Sequence, residues 1–362
     1  MKTNPKNESI KRKYFKWLRE AIGYSNSTIN MIEKSILLYE DFTTFEDYSV
    51  FNQKKAIGLK NWLQSRTYKN KPISVTTSYH YLRHLNDFFI WLSGQAGYKS
   101  KIDLDTVSYL SLDKKQVRLA TAPKPVKFPS LEYVKKLTDS IEITTEIDKR
   151  DRALIAFLLL SGMRDKAICT LPICCFDRNT LEINQDPKFG VETKFGKTIY
   201  SKILKIDDVL LKYILNWSEY LEKCKLFSST DPLFPRNKVH MSENSYCFES
   251  SEIEPYYWKS TNSIRKILKN RSSKAGLEYY YPHSFRHSTI NLAFKACRNA
   301  EQIKAISQIV GHENVGTTMM SYGTLDQYRV NEVVDDLNFS EPTENDQEMF
   351  EEYKKFVRKI KK

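Results

Sequence analysis

Three of the chain's six histidines lie between residues 283 and 312, in Pro282-His283-Ser284-Phe285-Arg286-His287 and again at Gly311-His312. Proton-handling and cationic side chains gathered in one segment suit an anionic substrate. No carboxylate cluster has the look of a two-metal nuclease, and no glycine-rich phosphate loop ends in Lys-Ser or Lys-Thr. Chemistry on a phosphodiester is therefore expected to proceed without a metal, and no cofactor is expected. His287, four positions after His283, could share a helical zinc pair with it, but a third ligand is missing and packing is the simpler role.

The charge balance points the same way. Across 362 residues, 57 Lys and Arg against 44 Asp and Glu give a net +13 and a pI near 9.2. Such a protein attracts polyanions, so nucleic acid or an anionic membrane leads the list of partners, with a merely basic soluble protein as the alternative. No apolar run approaches the roughly 20 residues that span a bilayer. The start, Met1-Lys2-Thr3-Asn4-Pro5, lacks the apolar core of a signal peptide, and a cytoplasmic protein is expected. Cys169, Cys174, Cys175, Cys224, Cys247 and Cys297 show no CxxC or zinc-ribbon spacing and read as reduced and structural. Cys174-Cys175, in an apolar stretch, reads as a buried pair.

The elements that must position these residues fall into two groups, as the length suggests. The first reads as helices. Ile10, Tyr14, Trp17 and Leu18 share a face; Ser27 or Asn26 caps a second stripe, Ile29, Ile32, Ile36 and Leu37; Leu59, Trp62 and Leu63 mark a third. A fourth starts at Ser74, buries Val75, Tyr79, Leu82, Leu85, Phe89 and Leu92, and stops at Gly94. Basic outer faces around Lys11, Lys13, Lys16 and Arg83 make this bundle a DNA-clamp candidate, although an ordinary helical bundle reads alike. Residues 113–128, with Lys114, Lys115, Arg118, Lys124 and Lys127 beside prolines 123, 125 and 129, read as an extended basic linker.

A new helix opens at Pro129-Ser130. The second group has a buried helix over Arg152 to Leu160 ending at Ser161-Gly162, with Arg150 and Arg152 read as helix-surface charges. Two β-like runs, Leu181 to Ile183 and Ile199 to Ile206, flank the turn Lys194-Phe195-Gly196-Lys197. Helices return at Val209 to Leu226, Thr261 to Ala275, Ser284 to Lys295 and Glu301 to Val310. An amphipathic tail over 349–360 carries Phe350, Tyr353, Val357 and Ile360 on one face. The domains expected are 1–112, helical and DNA-binding; 113–128, linker; 129–340, catalytic; and 341–362, tail.

At these residues the sequence resembles the tyrosine recombinases, or phage-type integrases. The matching segments are Leu160-Ser161-Gly162-Met163-Arg164, His283-Ser284-Phe285-Arg286-His287, Val310-Gly311-His312 and, ten positions on, Tyr322. Each is a weak signal alone; the four in this order and spacing are specific. The resemblance covers the whole second group, and the helical arm with its basic linker fits it.

The resemblance implies a mainly α protein: an all-helical N-terminal bundle and a mixed, mostly helical catalytic domain with a small antiparallel sheet, together a C-shaped clamp on duplex DNA. It implies site-specific recombination through a 3′-phosphotyrosyl intermediate on Tyr322, without ATP. Arg164 and Arg286 would clamp the phosphate, since guanidinium is always charged and presents a fork of donors. His283 would assist proton transfer, His312 would donate to a non-bridging oxygen, and Lys194 on the hairpin would protonate the leaving 5′-oxygen, with Lys197 the alternative. Tyr328 would be structural or contact phosphate. Partners would be double-stranded DNA, three further copies in a tetramer on two sites, with the tail packing onto a neighbour, and, where one is needed, an accessory DNA-bending protein.

Two features depart from the family's common pattern. Ala167 stands where an acidic residue usually follows the first arginine by three positions, and whether Asp165 takes that place is open at the level of sequence. The spacing from His312 to Tyr322 is one residue longer than the commonest form, as in some integrases of mobile elements. A type IB-like topoisomerase shares such a pocket, and a non-catalytic DNA-binding protein would share the charge; Tyr322 with both arginines argues against the latter.

Overall fold

The computed structural model describes residues 3–68, 71–122, 126–238, 240–241, 248–249 and 251–311. His312, Tyr322, Tyr328, Lys124, Cys247 and the tail helix expected over 349–360 lie outside them. The chain divides into two compact units, Met1–Lys124 and Pro125–Lys362. Among the described residues, no helix is long and apolar enough to cross a membrane.

The first unit is built on α1 (Pro5–Glu20), α2 (Asn26–Phe42), α3 (Gln53–Ser65) and α4 (Val75–Ser93). Each starts where a side-chain oxygen, from Asn4, Ser25, Asn52 or Ser74, accepts a first-turn N–H that the helix itself leaves unpaired. The cap of α2 is thus Ser25, just ahead of the expected Asn26 or Ser27. The stripes are buried as their periodicity demands, including Ile10, Tyr14, Ile32, Ile36, Leu59, Leu82, Leu85 and Phe89. Trp17, Leu37 and Val75, at the edges of their stripes, are exposed.

Lys11 departs more sharply from expectation. Its Nζ donates to Glu40 Oε2 at 2.8 Å and bridges Glu8 at 2.6 Å, while the fully buried Glu40 also accepts Tyr48 OH at 2.7 Å. A buried carboxylate from α2 has drawn the lysine inward, so Lys11 belongs to the core and not to the basic outer face. A two-residue β-pair, β1 (Thr67–Tyr68) with β2 (Lys71–Pro72), interrupts the helices.

Helix α5 (Leu104–Ser108) is succeeded by α6 (Lys114–Thr121), which occupies half of the stretch expected to be extended linker. Asp113 caps α6 by accepting Gln116 N–H at 2.8 Å, and Thr76 of α4 donates to the Ala120 carbonyl at 3.2 Å. The prolines act only past the end of this helix, where Ala122, ahead of proline 123, is extended.

The second unit wraps α7 (Leu131–Asp139), α10 (Asp208–Lys223) and α12 (Pro282–Ala296) around α8 (Glu146–Ser161). Every residue from Ala153 to Leu160 is fully buried, which is why this helix reads as an unbroken apolar run. It begins six residues before the expected Arg152, at a capping box between Thr145 and Asp148. Arg150, expected on the surface, is 1% exposed and is paired with Asp151. The remaining helices are α9 (Asp165–Cys169), α11 (Asn262–Lys274) and α13 (Ala300–Ile309).

Strands β3 (Glu182–Gln185) and β4 (Ile199–Lys202) pair antiparallel in the register Gln185 to Ile199. Short pairs join β5 (Arg236–Asn237) to β8 (Ile253–Glu254), and β6 (His240–Met241) to β7 (Phe248–Glu249). Cys169, Cys174, Cys175, Cys224 and Cys297 are free thiols. Burial pushes Cys169 and Cys175 up to about 12, which makes them inert. Cys174 is exposed, contrary to the expected buried pair.

Candidate active site

Arg164 is placed by the end of α8. Gly162 closes that helix in the left-handed conformation, at φ +57°, and a Cβ there would come within 3.1 Å of the Thr289 side chain. Only glycine satisfies both constraints. Thr289 in turn donates to the Leu159 carbonyl at 2.6 Å, holding α12 against the last turn of α8. Arg164 comes next in extended conformation at the start of α9, half-buried. No described carboxylate bridges it.

Helix α12 brings His283 and Arg286 to the same place. They are three residues apart and share one helical face. Arg286 is 3% exposed; its Nη1 donates to the Gly162 carbonyl at 2.7 Å and its Nη2 to the Val310 carbonyl. Two of its five donors thus go to the backbone, one bond two residues before Arg164 and the other two residues before His312. Gly311, at φ +69°, lies so close to Ile199 that a Cβ would sit 2.7 Å from that side chain.

The hairpin turn between β3 and β4 is tied to α9. Glu192 N–H donates to Thr170 Oγ1 at 2.8 Å, and the Glu192 carboxylate pairs with Lys166. Lys194, two residues on, is exposed, with its ammonium 4.8 Å from the centre of the Phe195 ring. Phe195 adopts a positive φ of 65° and is itself exposed. Lys197 closes the turn, its carbonyl accepting Thr193 Oγ1 at 2.6 Å.

The electrostatics of this group are one-sided. Desolvation, then the charge of Arg164, brings Arg286 down to about 9, and desolvation lowers Arg164 as well. Both remain protonated at neutral pH. His283 is exposed in part, yet desolvation of the rest of the ring and the charges of His287, Arg286 and Arg164 push its imidazole down to about 4, with Asp165 acting weakly the other way. At neutral pH His283 is uncharged. The two histidine rings meet edge to face at 5.1 Å. Asp165 points its carboxylate to Arg265, 3.7 Å away on α11. Among the described residues, no group of three or more His, Cys, Asp and Glu could hold a metal ion.

Of the residues expected to touch phosphate, Lys13, Lys16, Arg83, Lys114, Lys115, Arg118 and Lys127 are exposed. Helix α11 went unmarked by sequence reasoning as a basic surface, although its signal is simple. Its 13 residues include Arg265, Lys266, Lys269, Arg271 and Lys274 and no acidic residue.

Residues 130–329 match the phage integrase family. The chain belongs to that family and is accordingly a tyrosine-type site-specific recombinase, an enzyme that cleaves and rejoins DNA. It is similar to tyrosine recombinase XerC of Halalkalibacterium halodurans, 27% identical over 222 residues, covering 58% of this chain and 64% of that one, just under two thirds of its length. Tyrosine recombinase XerD of Listeria innocua is 21% identical over 305 residues, 82% of this chain and 88% of the other. Two solved structures share the fold. XerH recombinase bound to a palindromic difH substrate, in a post-cleavage complex, has a TM-score of 0.58 at 18% identity over 90% of this chain and 83% of that one. A lambda integrase dimer bound to a core site has 0.58 at 12% identity over 88% and 96%.

Proposed function

We propose that the chain breaks and reseals DNA through a 3′-phosphotyrosyl ester on Tyr322, in a pocket formed by Arg164, Lys194, His283, Arg286 and His312. The observation that carries this reading is the pair of cations Arg164 and Arg286 beside neutral His283, with no carboxylate bridging either arginine among the described residues, and bonded through Arg286 to the carbonyl two residues before His312. The Tyr322 oxygen forms a bond to phosphorus as the bond to the 5′-oxygen breaks. Charge building on the phosphoryl oxygens meets Arg164, Arg286 and His312; such preorganised donors supply the largest share of many rate enhancements. Tyrosine holds its proton at neutral pH and needs a base. Neutral His283 has a site for that proton, and a bound phosphodiester raises its affinity for it. Lys194 gives a proton to the leaving oxygen. Resealing reverses each step, so no ATP is consumed.

By analogy with the lambda integrase dimer on its core site, the working form is an assembly on DNA, a tetramer on two sites in the cytoplasm. Phosphates are held by the exposed lysines and arginines of α1, α4, α6 and α11 and by Lys127. The test is a nicked suicide substrate on a denaturing gel. The parent forms a covalent adduct in excess EDTA, and Tyr322→Phe binds the same DNA and forms none. An adduct in that variant moves the nucleophile to Tyr328, and loss in EDTA reversed by a divalent ion defeats the metal-free chemistry.

A further inference from the structure

The inner face of the β3–β4 hairpin is apolar except at two positions. Ile183 and Ile203 are buried there, and so are Gln185 and Ser201, each 4% exposed. Gln185 Nε2 donates to Ser201 Oγ at 2.5 Å, and Ser201 Oγ donates to the Ile309 carbonyl at 2.5 Å, across 108 residues of sequence. Ile309 is the last residue of α13, where the helix leaves its own carbonyls unpaired. The next carbonyl, Val310, is taken by Arg286, and Gly311 packs against Ile199 of the same strand. Three consecutive residues leading into His312 are therefore held by side chains from outside their helix, two of them from β4. The turn between the strands carries Lys194 and is tied to α9 through Glu192.

We infer that Ser201, oriented by Gln185, is a positioning residue that fixes the hairpin bearing Lys194 against the segment that continues to His312 and Tyr322. The inference rests on the roles proposed for Lys194 and Tyr322 in cleavage. An apolar pair would fill the same space but would leave the Ile309 carbonyl buried without a donor, and the strand could slide along α13. A hydroxyl bonded in both directions ties the hairpin to one carbonyl. Misplacement of a catalytic group by about 1 Å costs on the order of a hundredfold in rate, which is the size of effect such a tie controls.

The experiment compares single-turnover cleavage of a nicked suicide substrate with that of its 5′-bridging phosphorothiolate analogue, whose sulfur leaves without needing a proton. Ser201→Ala is expected to bind DNA like the parent, to cleave the oxygen substrate about 10- to 100-fold more slowly, and to recover nearly all of that loss on the sulfur substrate, as Lys194→Ala should. Gln185→Leu keeps the bond from Ser201 to Ile309 and should show a smaller loss with the same recovery; it decides the matter if Ser201→Ala does not fold. Undiminished cleavage of the oxygen substrate overturns the inference. So does an equal loss on both substrates, which would make Ser201 a packing residue. A parent that forms no adduct on either substrate overturns the proposed function and this inference with it, whereas a defect confined to the variants leaves that function standing.

Discussion

The second unit contains two buried arginine clusters, and they are opposites. In one, Arg150 donates to Asp151 through Nε and Nη2 and to the Pro235 carbonyl through Nη1, and Arg271 reaches Asp148 at 2.7 Å and Asp151 at 2.7 Å. Two cations face two carboxylates. Asp148 is held down to about 2, against its own desolvation, by bonds from Thr145, Arg271 and Thr144, and Arg271 is raised by Asp151 and Asp148. In the other, the charge of Arg164 acts on Arg286 and the charges of both act on His283, and all three are pushed toward losing their protons. The first cluster is complete by itself and binds α8 to α11. Among the described residues, the second has no carboxylate bridging its arginines, and a phosphate would bring the counter-charge. Burial alone does not mark a functional arginine; burial without a carboxylate does.

The sharpest way to break this comparison is to remove one arginine from each cluster. Arg286→Met should reduce cleavage by about 10²- to 10³-fold or more, the usual cost of one donor to a developing oxyanion. It should cost little stability, because the lost bonds to Gly162 and Val310 are offset by relief of an uncompensated buried charge. Arg271→Met should do the reverse. It leaves Asp148 without a cation and Asp151 with Arg150 alone, at a cost of about 3–5 kcal/mol, while the molecules that remain folded still cleave. Urea unfolding beside suicide-substrate kinetics reads both quantities. If Arg286→Met proves the less stable of the two, the distinction fails.

Acid should separate the clusters at different pH values. Asp148 has a folded pKa near 2, below its ordinary 3.8, so its contribution to stability is present above about 4 and is lost as pH falls toward 2. His283 has a folded pKa near 4, below 6.5. Between those values the unfolded chain binds more protons, so stability falls as pH drops through that window, and His283→Gln should flatten the slope there. Bound DNA reverses the sign for His283, because phosphate favours the imidazolium. Affinity for DNA should therefore rise as pH drops from about 6.5, more for the parent than for His283→Gln. An identical pH dependence for the two proteins would mean that the ring does not sense the phosphate.

The smallest effect expected extends the comparison to the first unit. Lys11 is paired with Glu40 and Glu8, whereas Lys114, Lys115 and Arg118 of α6 are exposed. Log affinity for DNA falls with log salt at about −0.9 for each phosphate neutralised. Changing all three α6 residues to Gln should lower the slope by about 3 and weaken cognate and random DNA alike. Lys11→Met should leave the slope unchanged and lower the unfolding midpoint. A slope that moves with Lys11 would place that lysine on the DNA.

Much of the fold and of the candidate site is legible in the chain itself. Ser74 and Gly94 bracket α4 because a cap and a stop are local signals, and α8 and α12 come from apolar runs closed by glycine or opened by proline. Lys194 and Lys197 fall on a turn between two strands because Lys-Phe-Gly-Lys interrupts two β-like runs. The linker misleads for a related reason. Its prolines are conspicuous, but the helix before them depends on Asp113 as a cap and on Thr76, which lies far away in sequence.

Chain order sets which side chains are available: an arginine after a glycine-closed helix, a histidine and arginine one turn apart, a Gly-His pair and a tyrosine ten positions on. Helical period and chain order carry that information locally. Which of these charges are paired came only from the tertiary structure. Arg271 and Arg286 are equally arginine in the sequence, and Lys11 and Lys13 stand two apart on one helix. What separates them is which carboxylates packing brings within reach and how much water it removes. For the two arginines, both depend on residues more than a hundred positions away.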